Sequence, residues 1–245
     1  MMPRLLRPFL LLAAGGSLSG CILDRLWETH RQFYAKDPQV IIENAPDGSV
    51  RFRFLQPTLL ESDIDWLIGQ PPTRRVSREG VRFADYILVQ EDHDKAAPSA
   101  IRGRVHYVPV GEQYRLAKIE LPRVVSLLVT PEMISAAIET LRYPAPELLQ
   151  RRLRVDLKSF HDLKLPSRRE IEAAIGSPNE ADETTATYRF RLQPPAKQPA
   201  PAETQPIEIT LRYAPSGRLR QAEGQYLRYR VRVDLEKEEA ILNVR

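Results

Sequence analysis

Apolar residues along this chain follow two patterns, one recurring every three to four positions and one alternating. The helical pattern appears at Leu60, Ile64, Leu67 and Ile68, closed by Gly69-Gln70-Pro71. It returns at Ile171, Ala174 and Ile175, closed by Gly176-Ser177-Pro178. Each stripe predicts a helix with one buried face, and glycine followed closely by proline ends it. Ser167-Arg168-Arg169-Glu170 has the form of a capping box at the start of the second helix, and Thr58-Leu59-Leu60-Glu61 has the same form at the first. A third stripe, Ile134, Ala137, Ile138 and Leu141, follows Thr130-Pro131, a cap and a first-turn proline, and stops at Pro144. Alternation predicts strands at Val40–Ile42 and Val50–Phe54 around the turn Pro46-Asp47-Gly48. Further strands are predicted at Phe83–Val89, Arg104–Val108, Arg151–Leu157, Tyr188–Leu192, Ile207–Tyr213 and Tyr226–Leu235.

These patterns repeat. Gly69 and Gly176 stand 107 positions apart, and Ile64, Leu67 and Ile68 shift by the same amount onto Ile171, Ala174 and Ile175. Tyr107-Val108-Pro109-Val110-Gly111 is answered 106 positions later by Tyr213-Ala214-Pro215-Ser216-Gly217. Two ordered markers at nearly one offset predict a duplicated unit. The expected fold is α+β: two tandem units, each a helix packed on an antiparallel sheet of three to four strands. The expected organisation is a signal peptide over 1–20, a lipidated tether over 21–38, a first unit over 39–129, a bridging helix and strand over 130–157, and a second unit over 158–245.

The first twenty residues change the picture most. Arg4 and Arg7 precede a short apolar run, Pro8 to Ala14, and Leu18-Ser19-Gly20-Cys21 follows it. A basic start, a short apolar run and a small-residue site form a secretory signal, and the run is too short to span a bilayer as a helix. Leu18 to Cys21 resembles the lipobox of bacterial lipoproteins. That resemblance implies a diacylglycerol on the Cys21 thiol, cleavage before Cys21 and acylation of the new amine. Two or three acyl chains anchor far more firmly than one. Ile22, not aspartate, follows Cys21, which by analogy with lipoprotein sorting implies the outer membrane, on its periplasmic face.

Export argues against nucleic acid as a partner, and the charge gives no support for one. The chain carries 36 Lys and Arg against 32 Asp and Glu. Loss of Arg4 and Arg7 with the signal leaves 34 against 32, a net +2. Cys21 is the single cysteine, so the mature chain holds no internal disulfide and no cysteine-based metal site. After it, Leu23, Leu26, Trp27, His30, Phe33 and Tyr34 recur at helical spacing. This segment reads either as an amphipathic helix on lipid headgroups or as a tether or helix packed on its own domain.

Candidate chemistry is sparse. Glu91-Asp92-His93-Asp94 has metal-ligand side chains, but adjacent residues on a polar loop rarely converge on one ion, so no metal or cofactor is expected. No nucleophile–base motif marks a catalytic site. His106 or His161, with nearby carboxylates, is the alternative reading as a periplasmic hydrolase. Arg228, Arg230 and Arg232 share one face of an alternating strand. They read either as a surface for an anionic lipid, a glycan phosphate or an acidic partner, or as the solvated face of a sheet.

The helix ending in Gly-X-Pro, followed by aromatic-bearing strands, is similar to small outer-membrane lipoproteins of the SmpA/BamE type. A tandem pair resembles the architecture of β-lactamase inhibitor proteins. The resemblance covers about residues 58 to 121 and 166 to 235. It lacks that family's Gly-Met-Thr entry to the helix, having Gln56-Pro57-Thr58 and Leu165-Pro166-Ser167 instead. It implies a non-enzymatic scaffold, adaptor or binding protein of the cell envelope.

Overall fold

A computed structural model describes residues 22–91, 101–142, 152–158, 166–196, 206–227 and 229–244. Among these, thirteen strands form one antiparallel sheet. They are β1 (Val40–Asn44), β2 (Val50–Phe54), β3 (Arg74–Arg78), β4 (Val81–Gln90), β5 (Ile101–Val110), β6 (Gln113–Glu120), β7 (Arg152–Asp156), β8 (Glu180–Ala181), β9 (Thr185–Leu192), β10 (Ile207–Tyr213), β11 (Leu219–Tyr226), β12 (Tyr229–Asp234) and β13 (Glu239–Val244). The order across the sheet is β1-β2-β6-β5-β4-β9-β10-β11-β12-β13-β7, with β3 beside β4 and β8 beside β9. The helices are α1 (22–33), α2 (Glu61–Ile68), α3 (Arg123–Leu128), α4 (Pro131–Arg142) and α5 (Arg168–Ile175).

The single sheet overturns the expected pair of helix-on-sheet units. β4 and β9, which would each have been the exposed edge of a separate small sheet, pair directly through Leu88↔Leu192, Val89↔Arg191 and Gln90↔Phe190. An unpaired edge is a liability, and merging two edges satisfies both. The seam is reciprocal. Gln193 N donates to Ile87 O and Glu91 N donates to Arg189 O, each at 2.8 Å. Thr73, just past α2, accepts from Ile87 N and donates to Gln193 O at 2.6 Å. Asn179, just past α5, accepts from Arg189 N and donates to Glu91 O at 2.5 Å. Residues after each helix stop thus stitch the strand ends of the other half.

The sheet is curled. Eleven strands side by side would span roughly 48 Å if flat, and α4 is only about 18 Å long. Yet α4 lies against both edge strands, β1 and β7. The helices occupy the concave side. Leu26 and Phe33 of α1, with Ile64, Leu67 and Ile68 of α2, pack on Phe54, Tyr107 and Leu116. Ile171 and Ile175 of α5 pack with Tyr188, Phe190 and Leu211. Met133 and Ala137 of α4 pack with Val155 and Val233. Leu88 touches the first two clusters, so the core is continuous across the seam.

Local signals work where the cap is local. Ser167 accepts from Glu170 N, and Glu170 accepts from Ser167 N, as the capping box requires. Thr130 caps α4 through Met133 N. The Thr58 box does not form: Leu60 is the N-cap, its N–H donates to Asp63 Oδ2 at 2.8 Å, and Thr58 bonds Thr29 instead. Gly69, at φ 74°, closes α2 in the left-handed region. A Cβ there would meet Leu227 Cδ1 at 3.3 Å, so that methyl would have to give by a few tenths of an ångström. The strand expected over Tyr226–Leu235 is two strands. Tyr226 pairs with Tyr229 across a turn in which Leu227 takes φ 51°. Alternation runs unbroken through this turn, which hides it from a periodicity argument.

Candidate functional site

The first described helix is built to dock. α1 begins at residue 22, directly after Cys21, which lies outside the described residues. Arg25 donates through Nε and one terminal nitrogen to the Asp63 carboxylate, both at 2.6 Å. Asp63 is 3 % exposed and also holds the N-cap amide of α2, so one carboxylate fixes α1 and starts α2. Thr29 bonds Thr58 at 2.5 Å, Phe33 meets Phe54 edge-to-face, and Tyr34 donates to Ile138 O of α4. The broad apolar stripe therefore divides. Leu26 and Phe33 turn inward, while Leu23 and Trp27 stand 60 % and 64 % exposed. Trp27 stacks on His30, and His30 meets Tyr34 edge-on, making an aromatic wall to an open groove of about 540 Å³.

Gln32 lies at the floor of this helix, 3 % exposed, and neither of its amide atoms has a hydrogen-bond partner among the described residues. A buried unsatisfied polar group costs about 1–3 kcal/mol. Gln32→Met keeps the length and removes both atoms. It should raise stability by about 1 kcal/mol, read as a higher midpoint in urea unfolding. A lower midpoint would show that the amide is bonded in solution.

The arginine face divides between described and undescribed residues. Arg228 lies outside the described residues. Arg230 donates to Glu223 at 2.6 Å, and Arg232 donates to Asp234 at 2.9 Å. Both stand on the convex face of β12, beside Glu223 of β11. These two cations are each matched by a carboxylate. Burial would raise the carboxyl of Asp234, but the Lys237 amide and Arg232 outweigh it and hold the group below its ordinary value. Sequence alternation finds the arginines but not their partners, because the pairing depends on the β11–β12 hairpin.

His106 joins a charged row on the same convex face, across β4, β5, β6 and β2. Arg104 grips the buried Asp85 with bonds of 2.6 and 3.2 Å. Phe83 lies under Arg104 and edge-on to His106. His106 Nε2 is 3.1 Å from Glu120 Oε2 but out of line for a hydrogen bond. Lys118 and Arg51 also pair with Glu120, at 2.8 and 3.3 Å. Antiparallel register brings these residues together from positions up to 69 apart, and no local motif signals it. His161 lies outside the described residues, as do Asp92, His93 and Asp94. Among the described residues, no three His, Cys, Asp or Glu side chains converge as a metal site.

The comparisons add no relative. No family model, curated protein or solved structure matches this chain.

The row has a definite acid response. Burial lowers the affinity of His106 for a proton, and the attraction of Glu120 only partly offsets this, so its folded pKa lies below 6.5. Burial opposes the charge on Glu120, but Lys118 and His106 overcome it and hold its pKa below 4.5. Both groups bind protons more readily in the unfolded chain, so both stabilise the fold less as pH falls. The His106 contribution is present above 6.5 and is lost as pH drops through its folded value. The Glu120 contribution is present above 4.5 and is lost further down. His106→Gln should flatten the melting-temperature profile just below pH 6.5 and shrink, without abolishing, the fall below pH 4.5, because Lys118 still holds Glu120. An unchanged profile would mean that His106 titrates as a solvated ring.

Proposed function

We propose that this chain is an outer-membrane lipoprotein, anchored through Cys21 on the periplasmic side, which works by binding an envelope partner. The observation that carries the reading is the lipobox Leu18-Ser19-Gly20-Cys21 followed at once by a helix docked on the sheet. Arg25–Asp63 and Phe33–Phe54 hold that helix to the core, so the anchor leads into folded structure within one residue. A domain held this way stands close to the bilayer with its helices on the concave side. Its convex face, carrying Arg189, Glu208, Glu223, Arg230 and Arg232, is left for a partner. That face alternates in sign: Arg189 pairs with Glu208, and Arg230 with Glu223. An alternating surface suits another protein with interleaved charges, where complementarity sets register and partner choice.

Photo-crosslinking tests the reading. A photoreactive residue at Gln225, on the convex face between these pairs, should yield a discrete protein adduct in intact cells. The same probe at Glu238, in the β12–β13 turn, should yield less. Equal, diffuse labelling from both positions would contradict a binding role for the face.

A further inference from the structure

We infer that α1 is a membrane-contact helix whose Leu23–Trp27 edge inserts at the boundary between headgroups and acyl chains. The inference rests on the anchoring of Cys21 and goes further, by fixing which surface of the folded domain meets the bilayer. Three observations carry it. First, Leu23 and Trp27 are one helical turn apart and project outward together, at 60 % and 64 % exposure. Second, the helix cannot roll to hide them. Its other side is pinned by Arg25 to Asp63, Thr29 to Thr58, Phe33 to Phe54, and Tyr34 to the Ile138 carbonyl. Third, Cys21, the proposed site of acylation, stands two residues before Leu23 in the sequence. Acyl chains on Cys21 hold the first turn of α1 at the membrane surface, and an apolar pair at that depth is covered by lipid.

Charge selects the kind of surface. The exposed side of α1 also carries Asp24, Glu28 and Arg31, with Arg31 paired to Glu28 at 3.4 Å, while Arg25 is committed to Asp63. Two acids against one base give no attraction to anionic headgroups. The contact is therefore apolar, made by leucine and by an indole, whose flat ring and single N–H suit the interface. It should not depend on salt.

The test uses the full lipidated chain carrying Trp66→Phe, which leaves Trp27 as the only tryptophan. The protein is reconstituted into phosphatidylcholine vesicles whose acyl chains are brominated near the headgroup end. An interfacial helix buries its apolar face about 5–10 Å into the headgroup and acyl boundary, so Trp27 emission should shift to the blue and fall roughly twofold relative to unbrominated vesicles. Quenching should be equal at low and high salt. Protein that floats with the vesicles while Trp27 stays unquenched overturns the inference and leaves the anchor standing. Protein that fails to float removes the anchor and the inference with it.

Discussion

Asp63→Ala is expected to lower stability by about 3 kcal/mol, because breaking a buried ion pair from one side strands the other charge. Asp63 holds three donors: two from Arg25 and the amide of Leu60. Alanine leaves Arg25, about a quarter exposed, without its carboxylate and opens the first turn of α2. In a domain of this size each kcal/mol is worth about 2–4 °C, so the melting temperature should fall by about 6–12 °C. The loss should be concentrated at α1. Hydrogen exchange in residues 22–33 should quicken more than in β9 or β10, whose Tyr188, Phe190 and Leu211 lie in a separate cluster. Replacing both partners, Arg25→Met with Asp63→Leu, should recover much of the stability, since an apolar pair of similar volume often equals a buried ion pair. A change within about 0.5 kcal/mol for the single variant is what an exposed position would give, and would show that α1 does not dock in solution.

Cys21→Ser is expected to abolish fatty-acid labelling entirely and to leave precursor carrying residues 1–20. Serine lacks the thiol that would accept the proposed diacylglycerol, and Cys21 is the only cysteine in the chain. The fold should be untouched, because Arg25, Leu26, Thr29 and Phe33 make the contacts that dock α1. Labelling that persists in the serine variant would sink the lipobox assignment. Undiminished processing without labelling would mark an ordinary secreted protein.

The parts legible in the sequence are those whose causes are local. The stripe Ile64, Leu67, Ile68 and the stripe Ile171, Ile175 mark α2 and α5, and Gly69 and Gly176 mark their ends. Ser167 and Thr130 cap the helices they precede. What the sequence hides is pairing. Nothing in Phe83–Val89 or Tyr188–Leu192 announces that these strands will meet, so two small sheets are expected where one curled sheet stands. β3 is also missed, because Arg74-Arg75-Val76-Ser77-Arg78 carries a single apolar side chain. The hairpin at Leu227 is missed for a different reason: the turn has neither glycine nor proline, and apolar alternation passes through it. At the candidate sites, Trp27 and the arginines are visible by residue type. Their settings are not, since Asp63, Glu223 and Glu120 reach their partners only through tertiary register.

The most direct measurement of the central claim is the mass of the mature N-terminus. The protein should be extracted from cells in detergent and its N-terminal fragment weighed intact. The expected fragment begins at Cys21 and carries a diacylglyceryl group on sulfur, with a further acyl chain on the amine. A fragment beginning at Cys21 with a free thiol, or one beginning at any other residue, would contradict the account.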